Sequence, residues 1–220
     1  MKNSFAFTGL IDRFRHVFTP FWDEWVDNKI RLIFEQRKNV VDIGGGLRID
    51  ASRGNRTDPK RIKKFGHYID QNYKVTDVTD TYSPDYIEDI HTLSFKDNSI
   101  DSIICLAVLE HVEEPQKAAQ EIVRVLKHDG VALLYAPYIY RYHAASGEYK
   151  DFFRFSKDAW EYLFRGCQIE MCPVRGIFET LLRFIPLHKT PLTSLCRFVD
   201  TFFSQSNVQT SGYFVYITKI

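Results

Sequence analysis

The segment from Val40 to Arg48 constrains the fold of this chain more than any other. It reads Val-Val-Asp-Ile-Gly-Gly-Gly-Leu-Arg, an apolar run that contains Asp42 and leads into three consecutive glycines. This pattern predicts a buried strand that enters a tight turn. Glycine has no Cβ, so the turn can adopt positive φ and lets a ligand lie against the backbone. Such turns at the carboxyl ends of parallel strands bind nucleotide-like ligands in open α/β sheets.

The composition is that of one globular domain. The chain has 220 residues, of which 45% are hydrophobic and 26% charged, as in ordinary soluble proteins. The formal net charge of +1 argues against a nucleic-acid partner. Four cysteines without CxxC or metal-ligand spacing favour a reduced, cytoplasmic protein. We find no signal peptide and no apolar run that could span a bilayer, and we leave peripheral membrane association open.

Strands and helices alternate after the glycine turn. Further strands are predicted at 67–70, 86–87, 102–106, 131–135, 167–174 and 211–218. The clearest helix begins at Pro115 and is expected to end at Gly130, and Ser156 is expected to cap another. The stretch 47–65 is weakly periodic, and no full helix is predicted there. These elements predict an α/β fold with a doubly wound, mostly parallel seven-stranded sheet whose closing pair is antiparallel.

We expect a single domain over residues 1–220 with four parts. They are an N-terminal helical cap (1–37), a core that carries the ligand site (38–175), a helical insertion (176–208) and a final strand (209–220). The insertion has more apolar residues at helical spacing than a simple connection needs. This favours a lid over the site, while a dimer face and a membrane-surface contact stay open as alternatives.

The glycine turn does not fit the dinucleotide pattern G-x-G-x-x-G, because Ile49 occupies the position of the third glycine. Asp70 ends the next predicted strand, where a carboxylate can accept hydrogen bonds from both ribose hydroxyls. Asp89 follows the third strand and could accept from an adenine amino group. Taken singly, each carboxylate is equally well explained as a turn residue.

Taken in order, these motifs closely resemble the class I S-adenosylmethionine-dependent methyltransferases, in the type 11-like branch that acts on small molecules, glycans and lipids. The resemblance covers residues 38–165. Its motifs are Val40–Arg48, Asp70 and the segments 88–101, 108–115 and 121–130. It implies a Rossmann-like methyltransferase fold with S-adenosylmethionine as cofactor and S-adenosylhomocysteine as product.

The resemblance also implies which residues bind the cofactor. They are Asp42, Gly44, Gly45 and Gly46 at the methionine portion, Asp70 at the ribose, Asp89 and Ile90 at the adenine, and Leu106 and His111 on the methionine side. Gly45 stands where the family more often has Cys or Ala, and this departure removes no contact group.

The acceptor site is expected after the fifth strand, because loops there face the methyl group in the resembled fold. Residues 136–143 and 151–156 are similar to members from polysaccharide gene neighbourhoods. A hydroxyl acceptor must lose a proton, and the sequence shows no metal-ligand cluster, so a side chain is expected to remove it. His143 is the candidate general base, and ordering of the loop is its alternative role. The candidate substrate-binding residues are Tyr138, Tyr142 and Arg154, although Arg154 could instead pair with Asp151.

The sequence thus predicts a methyltransferase that moves a methyl group to a small or glycan-type acceptor, at a hydroxyl oxygen, in surface-polysaccharide biosynthesis. One alternative is a catalytically inactive partner subunit that has kept the fold. Another is a methyltransferase for a lipid-linked or other small-molecule acceptor. No nucleic-acid partner and no resident metal are expected, and the oligomeric state is not predicted.

Overall fold

Seven strands form one sheet in the computed structural model, which describes residues 15–53, 57–70, 72–186, 191–202 and 208–220. The strands are β1 (Val40–Ile43), β2 (Tyr73–Asp77), β3 (Tyr86–Ile87), β4 (Ile100–Leu106), β5 (Leu126–Pro137), β6 (Cys167–Pro173) and β7 (Gly212–Lys219). Their spatial order is β3-β2-β1-β4-β5-β7-β6. Strands β1 to β5 are parallel, and β7 runs antiparallel to both β5 and β6. The predicted sheet, including its antiparallel closing pair, is confirmed.

Helices cover both faces of the sheet. They are α1 (Phe21–Gln36), α2 (Pro59–Phe65), α3 (Pro115–Val125), α4 (Lys157–Leu163), α5 (Ile177–Leu182) and α6 (Leu192–Asp200). Side chains of successive strand residues point to opposite faces. Val41 and Ile43 therefore pack in one core cluster with α3 and α4, while Val40 packs in a second cluster with α1. Both faces are apolar, as expected for a parallel sheet covered on each side.

The second strand lies further along the chain than predicted. Gly66–Tyr68 forms a 3-10 turn after α2, and β2 begins only at Tyr73, which pairs with Val40. The Tyr68 ring stacks on Phe34 of α1, with ring centroids 5.1 Å apart. The predicted strand at 67–70 is therefore wrong, because its aromatic residue belongs to the helical layer and not to the sheet.

Helix α3 begins at Pro115 as predicted but ends at Val125, five residues before Gly130. Leu126 has extended φ and ψ, is fully buried and pairs with Ile100 of β4. The Lys127 ammonium group contacts Asp101 at 2.9 Å. Sheet pairing thus takes over residues that the sequence pattern assigned to the end of the helix.

Both flanking parts of the predicted domain contain helices. Helix α1 follows Pro20, while residues 1–14 of the predicted cap lie outside the described residues. In the insertion, the Asp200 carboxylate at the end of α6 accepts hydrogen bonds from the Phe178 and Glu179 amides of α5, both at 2.9 Å. In the part of the chain that the structure describes, no helix is both long and apolar enough to cross a membrane.

Candidate active site

The glycine turn after β1 passes directly against the end of β4. Gly44 has φ of +75°, and a Cβ on it would lie 2.5 Å from Cγ2 of Val108. A Cβ on Gly46 would collide with the Leu106 carbonyl oxygen. Glycine is required at both positions because of this close approach, and at Gly44 also because of the positive φ.

Asp42 supports this turn from behind. Its Oδ2 accepts hydrogen bonds from the Leu47 amide at 3.0 Å and from the Tyr73 hydroxyl at 2.8 Å. The residue is fully buried, and burial raises the pKa of its carboxyl to about 6. Asp42 organises the turn and is not among the residues that line the cleft, so its contact with the cofactor stays a prediction. Gly45 likewise faces Val75 and not the cleft.

A cleft of about 1490 Å³ lies at the carboxyl ends of the five parallel strands. The predicted site residues that line it are Gly44, Gly46, Asp89, Ile90, Leu106, His111, Tyr142 and His143. Pockets for one small molecule measure roughly 300–1,000 Å³. This cleft therefore has room for a cofactor and a second molecule beside it.

The carboxylate at the end of the second strand is Asp77, not Asp70. Asp70 precedes β2 and accepts hydrogen bonds from the Asn72 amide and side chain at 2.8 and 3.1 Å. Asp70 lies at the amino end of β2 and is not among the residues that line the cleft, so its ribose contact stays a prediction. Asp77 is the last residue of β2 and lines the cleft. The run of Val75 and Thr76 ending in Asp77 was the signal that could have located it.

Asp89 lines the same side of the cleft, just beyond β3. Its Oδ1 lies 2.8 Å from the His91 amide nitrogen and 2.7 Å from His91 Nδ1. The hydrogen bond from the His91 amide is the main cause that lowers the pKa of this carboxyl. Asp77 and Asp89 thus present carboxylate oxygens, which accept hydrogen bonds from hydroxyl and amino groups.

The other end of the cleft is built by the loop after β5. The Phe152 and Phe153 amides both donate to the Glu110 carbonyl, at 2.8 and 3.2 Å. His111 Nδ1 donates to the Lys150 carbonyl at 2.6 Å. These bonds fasten the loop over the 3-10 turn that contains both Glu110 and His111.

His143 sits on this loop with its ring between two carboxylates. Its Nδ1 lies 3.2 Å from Oδ2 of Asp151, which also accepts the His143 backbone amide at 2.8 Å. Its Nε2 lies 3.8 Å from Oε1 of Glu110. Hydrogen bonding from Arg154 is the main cause that holds the pKa of the Asp151 carboxyl well below its usual range. Asp151 is therefore an ionised partner that fixes the orientation of the His143 ring.

Glu110 lies at the site but is not among the predicted site residues. Its side chain is 1% exposed, and neither carboxylate oxygen has a hydrogen-bond partner among the residues that the structure describes. Burial raises the pKa of this carboxyl to about 7, and burial is also the main cause that lowers the pKa of His111. The sequence pattern gave no metal-ligand spacing, because His111 and His143 lie on separate segments that only the fold brings together.

Two of the three predicted substrate-binding residues do not line the cleft. The Arg154 guanidinium donates to both Asp151 oxygens, at 2.5 and 2.7 Å, and to the Arg141 carbonyl at 2.9 Å. Tyr138 packs against the core, and its backbone amide donates to the Ser211 carbonyl at 2.9 Å. Tyr142 alone of the three lines the cleft, and its side chain is largely exposed there.

The helical insertion stands apart from the cleft wall. Of the described residues, those that line the cleft include Arg175 and Phe214 but none of the insertion between them. The insertion instead contacts the loop after β5, where Arg141 and Arg183 border a small second cavity. The lid interpretation stays a prediction.

The residues at the strand ends fit S-adenosylmethionine. Asp77 and Asp89 offer acceptors for ribose hydroxyls and an adenine amino group. Ile90 and Leu106 offer apolar surface, and the backbone of the glycine turn borders the same cavity. A Cβ at Gly44 would displace Val108 and a Cβ at Gly46 would displace Leu106, so the position of the turn at the cleft is tightly determined.

Solved structures share this fold. An S-adenosylmethionine-dependent methyltransferase from Archaeoglobus fulgidus aligns with a TM-score of 0.55 at 11% identity, over 89% of this chain and 94% of that one. A protein assigned to the same class from Listeria monocytogenes aligns with a TM-score of 0.53 at 10% identity, over 90% and 98% of the two chains. These likenesses establish the Rossmann-like methyltransferase fold.

A family comparison narrows the class. Residues 63–134 match the model of a methyltransferase domain family, whose members use S-adenosylmethionine as cofactor. The matched segment includes Asp77, Asp89, Glu110 and His111. A search of curated proteins finds no significant match. The family match indicates an S-adenosylmethionine-dependent methyltransferase.

Proposed function

We propose that this protein transfers the methyl group of S-adenosylmethionine to a hydroxyl oxygen of a small or glycan-type acceptor. One observation carries the proposal: the carboxylates at the ends of β2 and β3 and the histidines of the loop after β5 line a single cleft. The first group suits the cofactor. The second group suits the removal of a proton from an acceptor held beside it.

The cofactor end positions the methyl donor. S-adenosylmethionine supplies an electrophilic methyl group, so the protein must chiefly hold the acceptor oxygen in line with it. Asp77 and Asp89 would accept hydrogen bonds from the nucleoside, and the turn at Gly44 and Gly46 would border the methionine portion. In the transfer the methyl–sulfur bond breaks, a methyl–oxygen bond forms and the acceptor loses its proton.

His143 promotes the loss of that proton. Its Nδ1 faces acceptor atoms, the Asp151 carboxylate at 3.2 Å and the Arg141 carbonyl at 3.3 Å, so Nδ1 carries the hydrogen and Nε2 has the free lone pair. The ionised Asp151 would stabilise a charged imidazole, as the carboxylate does in hydrolytic triads. This arrangement supports the predicted role of His143 as general base.

Aromatic side chains support a glycan-type acceptor. Tyr142, Tyr149 and Phe152 line the acceptor end of the cleft, and all three rings are partly exposed. Flat apolar surfaces beside polar groups suit a sugar ring, which has apolar C–H faces and hydroxyls at its edge. The carboxylates of Glu113 and Glu148 also line the cleft and can accept hydrogen bonds from sugar hydroxyls.

Incubating the protein with labelled cofactor and an extract of the source organism, followed by mass analysis of the labelled product, would identify the acceptor.

The His143→Ala variant then tests the assignment of His143. We expect the variant to lose at least about a hundredfold in turnover, while calorimetry shows unchanged affinity for S-adenosylhomocysteine. His128→Ala is the matched control, because that side chain is 75% exposed and does not line the cleft.

Three outcomes would contradict parts of the proposal. Unchanged turnover in His143→Ala would remove His143 from the reaction. A labelled lipid would replace the glycan by a lipid-linked acceptor. Absence of S-adenosylhomocysteine binding at millimolar ligand would favour the alternative of an inactive partner subunit.

A further inference from the structure

Three side chains from two distant segments converge at the acceptor end of the cleft. The Nε2 atoms of His111 and His143 lie 3.7 and 3.8 Å from the same oxygen, Oε1 of Glu110. One possible ligand atom from each of the three residues lies within 4.8 Å of the other two. The two imidazole rings are nearly perpendicular, with centroids 5.0 Å apart. Both histidines line the cleft, and Glu110 lies buried behind them.

The Glu110 carboxylate needs a partner that the described residues do not supply. Both of its oxygens are buried without a hydrogen bond there, although an unsatisfied buried polar group costs about 1–3 kcal/mol or more. The histidine nitrogens are too distant to be that partner, since hydrogen bonds span about 2.7–3.2 Å. Two ligands of one zinc ion, each about 2.0–2.1 Å from the metal, lie roughly 3.3 Å apart in a tetrahedral site. The observed separations are close to this value.

Both histidines are already oriented as metal ligands. Metal-binding histidines generally donate their second ring N–H to a carbonyl or carboxylate. Here His111 Nδ1 donates to the Lys150 carbonyl at 2.6 Å, and His143 Nδ1 lies 3.2 Å from the Asp151 carboxylate. This leaves the Nε2 lone pairs of both rings free for a ligand, with the two Nε2 atoms 3.7 and 3.8 Å from Oε1 of Glu110.

We propose that Glu110, His111 and His143 bind one divalent transition-metal ion of the zinc type, with an open coordination position toward the cleft. Two histidines and one carboxylate with a vacant position form a ligand set typical of catalytic metal sites. The inference rests on the proposed function for its role: the acceptor hydroxyl fills the open position, and the ion lowers its pKa. A metal-bound Nε2 cannot also accept a proton, so with the ion present His143 acts as a ligand and not as the general base, and the acceptor proton passes to solvent. Turnover that requires the metal assigns His143 the ligand role, and turnover without metal assigns it the role of base.

Metal binding by the whole chain is the direct test. Protein freed of any affinity tag is dialysed against a chelator, loaded with zinc sulfate and analysed for bound metal by mass spectrometry. We expect one zinc per chain. Cobalt(II) added to the metal-free protein should produce visible absorption bands that zinc abolishes by competition.

Variants separate the proposed ligands from the rest of the chain. Glu110→Gln preserves the shape of the side chain and should weaken zinc binding by at least about a hundredfold. Asp151→Asn removes the carboxylate that faces His143 Nδ1 and should weaken zinc binding by about ten- to a hundredfold. Glu161→Gln and His128→Ala are matched controls that should keep full zinc content, because both side chains are exposed and outside the cleft. Circular dichroism confirms that each variant is folded.

The outcomes distinguish this inference from the proposed function. Zinc content in the wild type no higher than in Glu110→Gln overturns the metal site. Equal turnover by metal-free and zinc-loaded protein overturns the role of the metal and leaves the methyltransferase intact. Loss of S-adenosylhomocysteine binding in every preparation overturns the proposed function, while the zinc stoichiometry is still measured.

Discussion

Replacing Asp42 by asparagine should change how the stability of the protein depends on pH. Both hydrogen bonds to Asp42, from the Leu47 amide and the Tyr73 hydroxyl, end on Oδ2. Within the described part of the chain, Oδ1 has no partner. The single oxygen of asparagine can therefore keep both bonds, and its amide group takes the place of Oδ1. The substitution removes a buried ionisable group without altering the support of the glycine turn.

The magnitude follows from the pKa of Asp42. Burial raises it from 3.8 to about 6, so the folded state disfavours the ionised carboxylate. The wild type therefore loses stability as pH rises from the unfolded pKa through the folded pKa, by about 3 kcal/mol in total. About 2 kcal/mol of this change falls between pH 4.5 and 7.5. Asp42→Asn lacks this ionisation, so its free energy of unfolding should rise relative to the wild type by that amount.

Urea unfolding of both proteins without ligand, at intervals from pH 4.5 to 7.5, measures this difference. Only the change with pH matters, because the constant cost of burying an amide group cancels. Asp129→Asn serves as the control, since its carboxylate is exposed. A difference between Asp42→Asn and wild type that stays constant across this range would refute the reasoning.

Two further predictions test particular contacts. Asp77→Asn should weaken S-adenosylhomocysteine binding at least about tenfold, the loss expected for a charge-assisted hydrogen bond. Asp70→Asn should leave this binding unchanged. Calorimetry measures both affinities, and equal losses in the two variants would contradict the placement of β2. Arg197→Met should lower the free energy of unfolding by about 3 kcal/mol, because it leaves the Glu179 carboxylate, which is 2% exposed, without its bonds at 2.8 and 2.9 Å. The exposed pair of Lys157 is the control, and Lys157→Met should cost less than about 1 kcal/mol; equal losses in thermal or urea unfolding would contradict burial as the cause.

Elements that depend only on neighbouring residues were predictable from the sequence pattern. The apolar run before Gly44 specified β1 and its turn, because hydrophobic periodicity and the conformational freedom of glycine act over a few residues. Ser156 was predicted as a helix cap, and its hydroxyl accepts the Ala159 amide at 3.3 Å. Alternating strands and helices then led to a doubly wound sheet.

Strand register and loop packing control which side chains share the cleft. The carboxylate at the end of β2 is Asp77 and not Asp70, because the pairing of Tyr73 with Val40 sets the register of the strand. Arg154 does not line the cleft, because its guanidinium forms an ion pair with Asp151. Glu110 and His143 lie close together because the loop after β5 folds back over the end of β4. Such contacts join residues far apart in sequence, and their distances follow from strand order and register, which local patterns do not encode.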